Sequence, residues 1–244
     1  MAKQTGLGDR LFVSNFDLSG TTGSVGSISR SVGTTDVTAI DKSANERIYT
    51  LKEGAINFSS FFDPAAAAAH AALAPMPVAD RIVTYNRGAA LGSPAASMVA
   101  KQINYDPTRA ADGALTMDVQ TLANGFGLEW GRQLTAGKIT HASATNGTGV
   151  DGVASTDFGL QAYLHIFSLA SGTPSVHIES SATLGGTYTD VTGGVFTLAA
   201  AGGQRIATAA DLTVARFLRI ATSGTFSNLV FAVSVVRNER APSF

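Results

Sequence analysis

The chain has 244 residues, with 17 basic and 18 acidic side chains, a formal net charge of −1 and no cysteine. This balance gives no electrostatic reason to expect binding to duplex nucleic acid or to an anionic membrane, since both usually leave a basic footprint. The absence of cysteine excludes disulfides, thiolate nucleophiles and Cys-ligated zinc. No apolar run reaches the roughly 20 residues that span a bilayer, and the opening MAKQTGLGDR predicts no secretory signal because it has no apolar segment.

Short alternations of apolar and polar residues recur between clusters of Gly, Ser and Thr, which is typical of an all-β protein. In the first half we predict strands within residues 10–19, 55–62, 80–88, 96–106, 113–124 and 127–135. One helix is predicted over 64–73, where Asp63 is a good N-cap, Pro64 suits the first helical position and a run of alanines follows. Pro75 and Pro77 are expected to end that helix.

The amino-acid composition changes at the start of the second half. Residues 138–157 are small, polar and glycine-rich, and they predict a linker or long loop. Strands are predicted beyond it within residues 158–169, 175–181, 186–199, 216–222 and 228–239, a rhythm typical of a β-sandwich. In the second of these strands, Val176 and Ile178 are predicted to face inward, and His177 and Glu179 outward.

No catalytic or metal-binding constellation stands out in the sequence. The four histidines, at positions 70, 141, 165 and 177, do not lie at metal-ligand spacing from one another. His70 is predicted to face solvent or to pack on the helix, and His165 and His177 to face outward on strands. We therefore predict no enzymatic activity, no metal and no cofactor, because no nucleophile, base or ligand set is visible.

The stretch DKSANERIYTLKEG, residues 41–54, concentrates charge in a chain of which only 14% of residues are charged. Its six candidate site residues are Asp41, Lys42, Glu46, Arg47, Lys52 and Glu53. Calcium loops space their acids at every second position and include a turn glycine, whereas here basic residues alternate with the acids. This interleaving favours charge pairing on a solvated surface over a metal site.

A longer segment, DVTAIDKSANERIYTLKEGAINFSSFFDP, residues 36–64, resembles the tail tube proteins, or major tail proteins, of long-tailed bacteriophages with flexible non-contractile tails. The matching residues are Asp36, Val37, Thr38, Arg47, Leu51, Lys52, Glu53, Gly54, Phe58, Asp63 and Pro64. Thr50 stands where that pattern commonly has Gly. The opening GLGDRLFVSNFDLSG also resembles the first strand of such proteins.

The resemblance implies a virion protein, assembled in the bacterial cytoplasm, with a β-barrel or β-sandwich subunit. Six copies would form a ring, and stacked rings would form a tube through which DNA passes without specific binding. The implied partners are further copies of the chain and the terminator, tape measure and distal tail proteins. Residues 38–54 are then expected to form an inter-subunit or inter-ring loop, because charges of both signs orient repeating contacts. The first ten residues are expected to form an arm that orders on assembly.

We predict a tail-tube domain over 1–137, a linker or loop over 138–157, and a C-terminal β-sandwich decoration domain, jelly-roll or immunoglobulin-like, over 158–244. The segment SVHIESSATLGGTYTDV, followed later by ARFLRIATSG, resembles a carbohydrate-binding sandwich. Tyr188 is the best aromatic candidate for stacking on a host surface glycan, and the alternative is that it packs on a strand face.

Two other functions remain open at this point. The chain fits a capsid decoration or other virion surface protein, which would bind capsids, often as a trimer. It also fits a carbohydrate-binding β-sandwich module, which would be a monomer with affinity for glycans. The tail tube function instead predicts rings of six copies and open-ended tubes.

Overall fold

A computed structural model describes residues 5–76 and 78–241. Within these ranges the chain forms 17 strands, paired antiparallel, and one short helix, which confirms the predicted all-β class. Residues 1–4, part of the predicted N-terminal arm, and Pro77, a predicted helix end, lie outside the described residues. No helix in the described ranges has the length and apolar character needed to cross a membrane.

The first half is organised around β6, which pairs with different neighbours along its length. Its elements are β1 Arg10–Val13, β2 Phe16–Asp17, β3 Thr22–Asp36, β4 Arg47–Phe61, α1 Ala69–Leu73, β5 Arg81–Asn86, β6 Pro94–Gln102, β7 Asp106–Arg109, β8 Leu115–Val119, β9 Thr121–Ala123 and β10 Glu129–Gln133. One edge of β6 pairs with β5, which continues to β1 and β2. The other edge pairs first with β10 and then with β9, and β9 leads to β4, β3 and β8.

The second half is built on two long strands that pair along their whole lengths. Its elements are β11 Ile139–His141, β12 Thr145–Asn146, β13 Val150–Asp151, β14 Leu160–Ser181, β15 Thr189–Phe196, β16 Gly202–Ala207 and β17 Phe217–Arg237. The outer edge of β14 pairs with β16 and β15. The outer edge of β17 pairs with the four strands β10 to β13. The predicted linker, 138–157, thus contains three short strands that run along β17.

Two apolar cores lie within this arrangement. The first draws on residues between Leu11 and Leu128 and includes the buried face of α1. The second draws on residues between Leu134 and Val235 and includes both halves of β14, with Val176 and Ile178 fully buried as predicted. Because β10 pairs with both β6 and β17, the sheet continues from one core to the other, and the division into domains stays a prediction.

The helix is shorter than predicted. It begins at Ala69, so the assignment of Asp63 as N-cap and Pro64 as the first helical residue is wrong. The Asp63 carboxylate instead accepts a hydrogen bond from the backbone N–H of Ala65 at 3.0 Å, within the preceding turn. Short alanine-rich segments are marginal helices in water, so the helix forms only where it buries side chains, up to Leu73.

The predicted outward orientation of His165 is wrong. Its side chain is 1% exposed, and it lies between the carbonyl of Ser14 and the hydroxyl of Thr84. The alternation correctly places the side chains of His165 and Leu164 on opposite faces of β14. However, β1 and β5 of the first half cover the face that the pattern predicts to be exposed to solvent. His177 is also mostly covered, with 13% of its side chain exposed.

Candidate functional site, an exposed hairpin

The longest exposed feature of the structure is the antiparallel hairpin of β3 and β4. At its base, alternate β4 residues such as Ile56 and Phe58 are buried in the first core. Residues 29–53, which we call the distal hairpin, are exposed throughout except at the half-buried Thr38. Strands β8 and β9 pair with β4 only from Ala55 onward. Among the described pairings, therefore, the distal hairpin has two strands and no third neighbour.

Gly54 marks the point where the hairpin leaves the body of the protein. A Cβ atom at this position would lie 2.5 Å from the backbone nitrogen and the Cβ of Leu128. Real Cβ contacts are not this short, so only glycine allows β4 to pass against Leu128. The Glu53 carboxylate accepts the Gly54 N–H at 3.0 Å. The glycine that ends the charged stretch 41–54 is thus explained by close packing.

Asp36, Val37 and Thr38 close the tip of the hairpin. The Asp36 carboxylate accepts the backbone N–H of Thr38 at 2.9 Å, and the Thr38 hydroxyl accepts the backbone N–H of Glu46 at 2.8 Å. Hydrogen bonds from the side chain and backbone of Thr38 hold the pKa of Asp36 below its ordinary value. The backbone N–H of Val37 donates to the carbonyl of Glu46 at 2.9 Å. These contacts fix a loop over residues 37–46.

All six predicted charged residues lie on the distal hairpin and are exposed. Three belong to the loop, Asp41, Lys42 and Glu46, and three belong to β4, Arg47, Lys52 and Glu53. The predicted loop over 38–54 is therefore part loop and part strand. Lys42 and Glu46 form an ion pair at 3.5 Å, and such exposed pairs contribute little to folding stability. Their expected role in contacts between subunits stays a prediction.

The predicted site contained only charged residues and missed the exposed apolar side chains of the same hairpin. Ile40 is fully exposed, and Tyr49 and Leu51 are 83% and 86% exposed. Val37 and Ile48 are also about half exposed. The sequence signal was present, since apolar residues alternate with the charges, but it fits a strand with one buried face equally well.

These features together describe a surface that a second molecule would stabilise. An isolated two-stranded ribbon is marginally stable in water. A strand edge without a neighbour is a template for pairing with another chain, and clustered exposed apolar side chains mark interaction sites. The distal hairpin combines all three properties.

Tyr188, the predicted glycan-stacking residue, lies immediately before β15 and is half-buried. Its hydroxyl donates to the Leu184 carbonyl at 3.2 Å, and the guanidinium carbon of Arg219 lies 4.3 Å from the ring centroid. The cation occupies one side of the ring, so a sugar would have to stack on the other side. A glycan role for Tyr188 stays a prediction.

No family model matches the chain, and no curated protein matches it. Among solved structures, the tail of an empty GTA particle with C6 symmetry is similar at 15% identity and a TM-score of 0.40, covering 52% of this chain and 97% of that chain. The Dit protein of SPP1, a hub of the adsorption apparatus in phages that infect Gram-positive hosts, is similar at 10% identity and a TM-score of 0.35, covering 94% of this chain and 99% of that chain.

A chain of the phage P2 baseplate in its activated conformation with Ca is similar at 8% identity and a TM-score of 0.34, covering 95% of this chain and 99% of that chain. The three solved structures thus come from a particle tail, an adsorption hub and a baseplate. At TM-scores below 0.5, these similarities do not establish a shared function.

Proposed function

We propose that the protein is a structural tail subunit of a phage, with copies that form hexameric rings stacked into a tube for genome ejection. The observation that carries this proposal is the distal hairpin, a two-stranded ribbon with Ile40, Tyr49 and Leu51 exposed. It overlaps residues 36–64, the segment that resembles tail tube proteins. Docking on a neighbouring copy would bury these side chains and pair the open strand edge.

The charge of the chain is consistent with this role. With 17 basic and 18 acidic residues, the subunit has no excess positive charge with which to hold DNA, and strong phosphate contacts would hinder its passage through a tube. Residues 158–244, by the same proposal, form a domain that decorates the outside of the tube. The terminator, tape measure and distal tail proteins are the partners that the family resemblance implies.

Single charge reversals test the hairpin as the assembly surface. We expect Arg47→Glu and Glu53→Arg each to reduce the number of rings and tubes seen by negative-stain electron microscopy of the concentrated protein. Reversal places like charges across a repeated contact, which is unfavourable. Both residues are exposed, but Glu53 accepts the Gly54 N–H and Arg47 is paired with Asp36 across the ladder, so we expect each reversal to lower the free energy of unfolding by only about 1 kcal/mol.

Arg109→Glu is the matched control, since Arg109 is exposed on β7 and outside the hairpin. Tubes of normal number and length from both hairpin variants would contradict the proposed role of these charges. For the parent protein, sixfold rings or tubes are the expected result. Trimers that bind capsids would support the decoration function instead, and monomers with glycan affinity would support the sugar-binding function.

A further inference from the structure

Three side chains on neighbouring strands of the second half converge on one place. His177 and Glu179 lie on β14, and Asp190 lies on β15. Their potential ligand atoms all lie within 4.8 Å of one another. The Nε2 atom of His177 is 3.4 Å from Oδ1 of Asp190 and 4.0 Å from Oε1 of Glu179.

The strand pairing explains why the group forms. Residues two apart on a strand point to the same face, and a register shift between His177 and Glu179 sets Glu179 directly opposite Asp190. Two like charges directly opposite in an antiparallel pair are destabilising. A cation held between the two carboxylates would remove this repulsion.

Arg219 on β17 neutralises only part of that charge. It is paired in register with Glu179, and its Nε donates to Oε2 of the Glu179 carboxylate at 2.5 Å. The other oxygen, Oε1, is the one nearer to His177. Carboxylates that bind metal ions are commonly fixed by such a second hydrogen bond, and here it leaves one oxygen toward the group.

We propose that His177, Glu179 and Asp190 form a binding site for a divalent transition-metal ion of the zinc type. Tetrahedral zinc with nitrogen and oxygen ligands at about 2.0–2.1 Å places its ligand atoms roughly 3.3 Å apart. The His177 to Asp190 separation of 3.4 Å already fits, and Glu179 reaches the ion by a small side-chain shift. An imidazole ligand favours zinc and its neighbours over calcium or magnesium, which prefer oxygen ligands.

The site would remain accessible from solvent. The side chain of Asp190 is 68% exposed, whereas those of His177 and Glu179 are mostly covered. Water, or a side chain of another molecule, would complete the fourth position. Since the ligands come from two strands, the ion would link β14 to β15 and stabilise this edge of the sheet.

Titration calorimetry with zinc chloride tests the site on the full chain, after chelator treatment and dialysis. We expect one ion bound per chain and a zinc-dependent rise in melting temperature. His177→Gln and Asp190→Asn should each weaken binding by about tenfold or more. Asp190→Asn is the safer variant for folding, because that side chain is largely exposed.

The control is His70→Gln, which removes a half-buried histidine from α1 in the first half. It should leave zinc binding unchanged. The absence of binding by the unmodified chain would overturn the proposal. Binding that survives in both His177→Gln and Asp190→Asn, or that is lost in His70→Gln, would overturn it as well, because the ion would then be held elsewhere.

Discussion

At the scale of single residues, His165 is a buried side chain whose two ring nitrogens both have hydrogen-bond partners. Its Nδ1 atom lies 2.8 Å from the Ser14 carbonyl, which can only accept, so Nδ1 carries the proton. Its Nε2 atom then accepts from the Thr84 hydroxyl at 2.8 Å. The hydrogen bonds continue from the Thr84 hydroxyl to that of Ser97 at 2.9 Å, and from Ser97 to the hydroxyl of Ser234 at 2.8 Å. Neutral imidazole protonated at Nδ1 therefore satisfies both partners of His165.

Burial lowers the pKa of His165 from 6.5 to about 4. The unfolded chain therefore binds a proton below about pH 6.5 that the folded chain does not bind until about pH 4. The stability that depends on neutral His165 is fully present above pH 6.5 and is lost as the pH falls toward 4. We expect a loss of about 1.4 kcal/mol per pH unit, or roughly 3 kcal/mol in all.

Urea unfolding at a series of pH values between 7.5 and 4.5 measures this loss. His165→Gln should be less stable at pH 7.5 but should lose less stability with acid than the parent protein, because the titrating group is gone. A His165→Gln variant with the parent's full pH dependence would show that other groups are responsible.

At the scale of elements, the distal hairpin predicts that an exposed leucine matters for assembly rather than for folding. Leu51 is 86% exposed, so Leu51→Ser should leave the melting temperature nearly unchanged. Burying a leucine side chain contributes about 1.5–3 kcal/mol, so the concentration needed for assembly should rise by about tenfold or more.

Light scattering against protein concentration gives that threshold directly. Leu184→Ser is the matched control, since Leu184 is also exposed, at 57%, but lies in the second half. Equal thresholds for Leu51→Ser and the parent protein would exclude Leu51 from the assembly contact.

The sequence predicted one strand of this hairpin better than the other. The base of β4 was recognised from its apolar alternation, but β3 was missed because its residues, TGSVGSISRSVGTTD, are mostly Gly, Ser and Thr. Its two half-buried apolar residues, Val25 and Ile28, are three apart rather than two. Register shifts at three places in the β3–β4 pairing break the two-residue period. Periodicity alone does not detect such a strand.

The long strands β14 and β17 were each predicted as two separate strands for a related reason. Gly172 and Gly224 lie near their middles with φ angles of +91° and +90°, and Pro174 pairs directly with Gly224. Gly and Pro in such positions usually end a strand. Here the two irregularities lie close together across one ladder, so both strands continue.

At the scale of the whole molecule, polar and aromatic side chains join the two cores. Tyr163 of β14 is fully buried beside Ile82 and Val99 of the first half. Its hydroxyl donates to Glu129 of β10 and accepts from Nε of Arg205 at 3.1 Å. Burial, and the neighbouring Glu129 carboxylate, raise the pKa of Tyr163 far above its ordinary value. No sequence pattern reveals this contact, because its members lie on three strands that are distant along the chain.

The proposed function requires the distal hairpin to be free in a single copy and docked in an assembly. Hydrogen–deuterium exchange of its backbone amides, followed by mass spectrometry in dilute and concentrated protein, tests this most directly. We expect residues 29–53 to exchange rapidly in dilute protein and slowly once rings or tubes form. The base of the hairpin, residues 54–60, should be protected under both conditions. Rapid exchange of 29–53 at every concentration, with or without assembled particles, would contradict the claim.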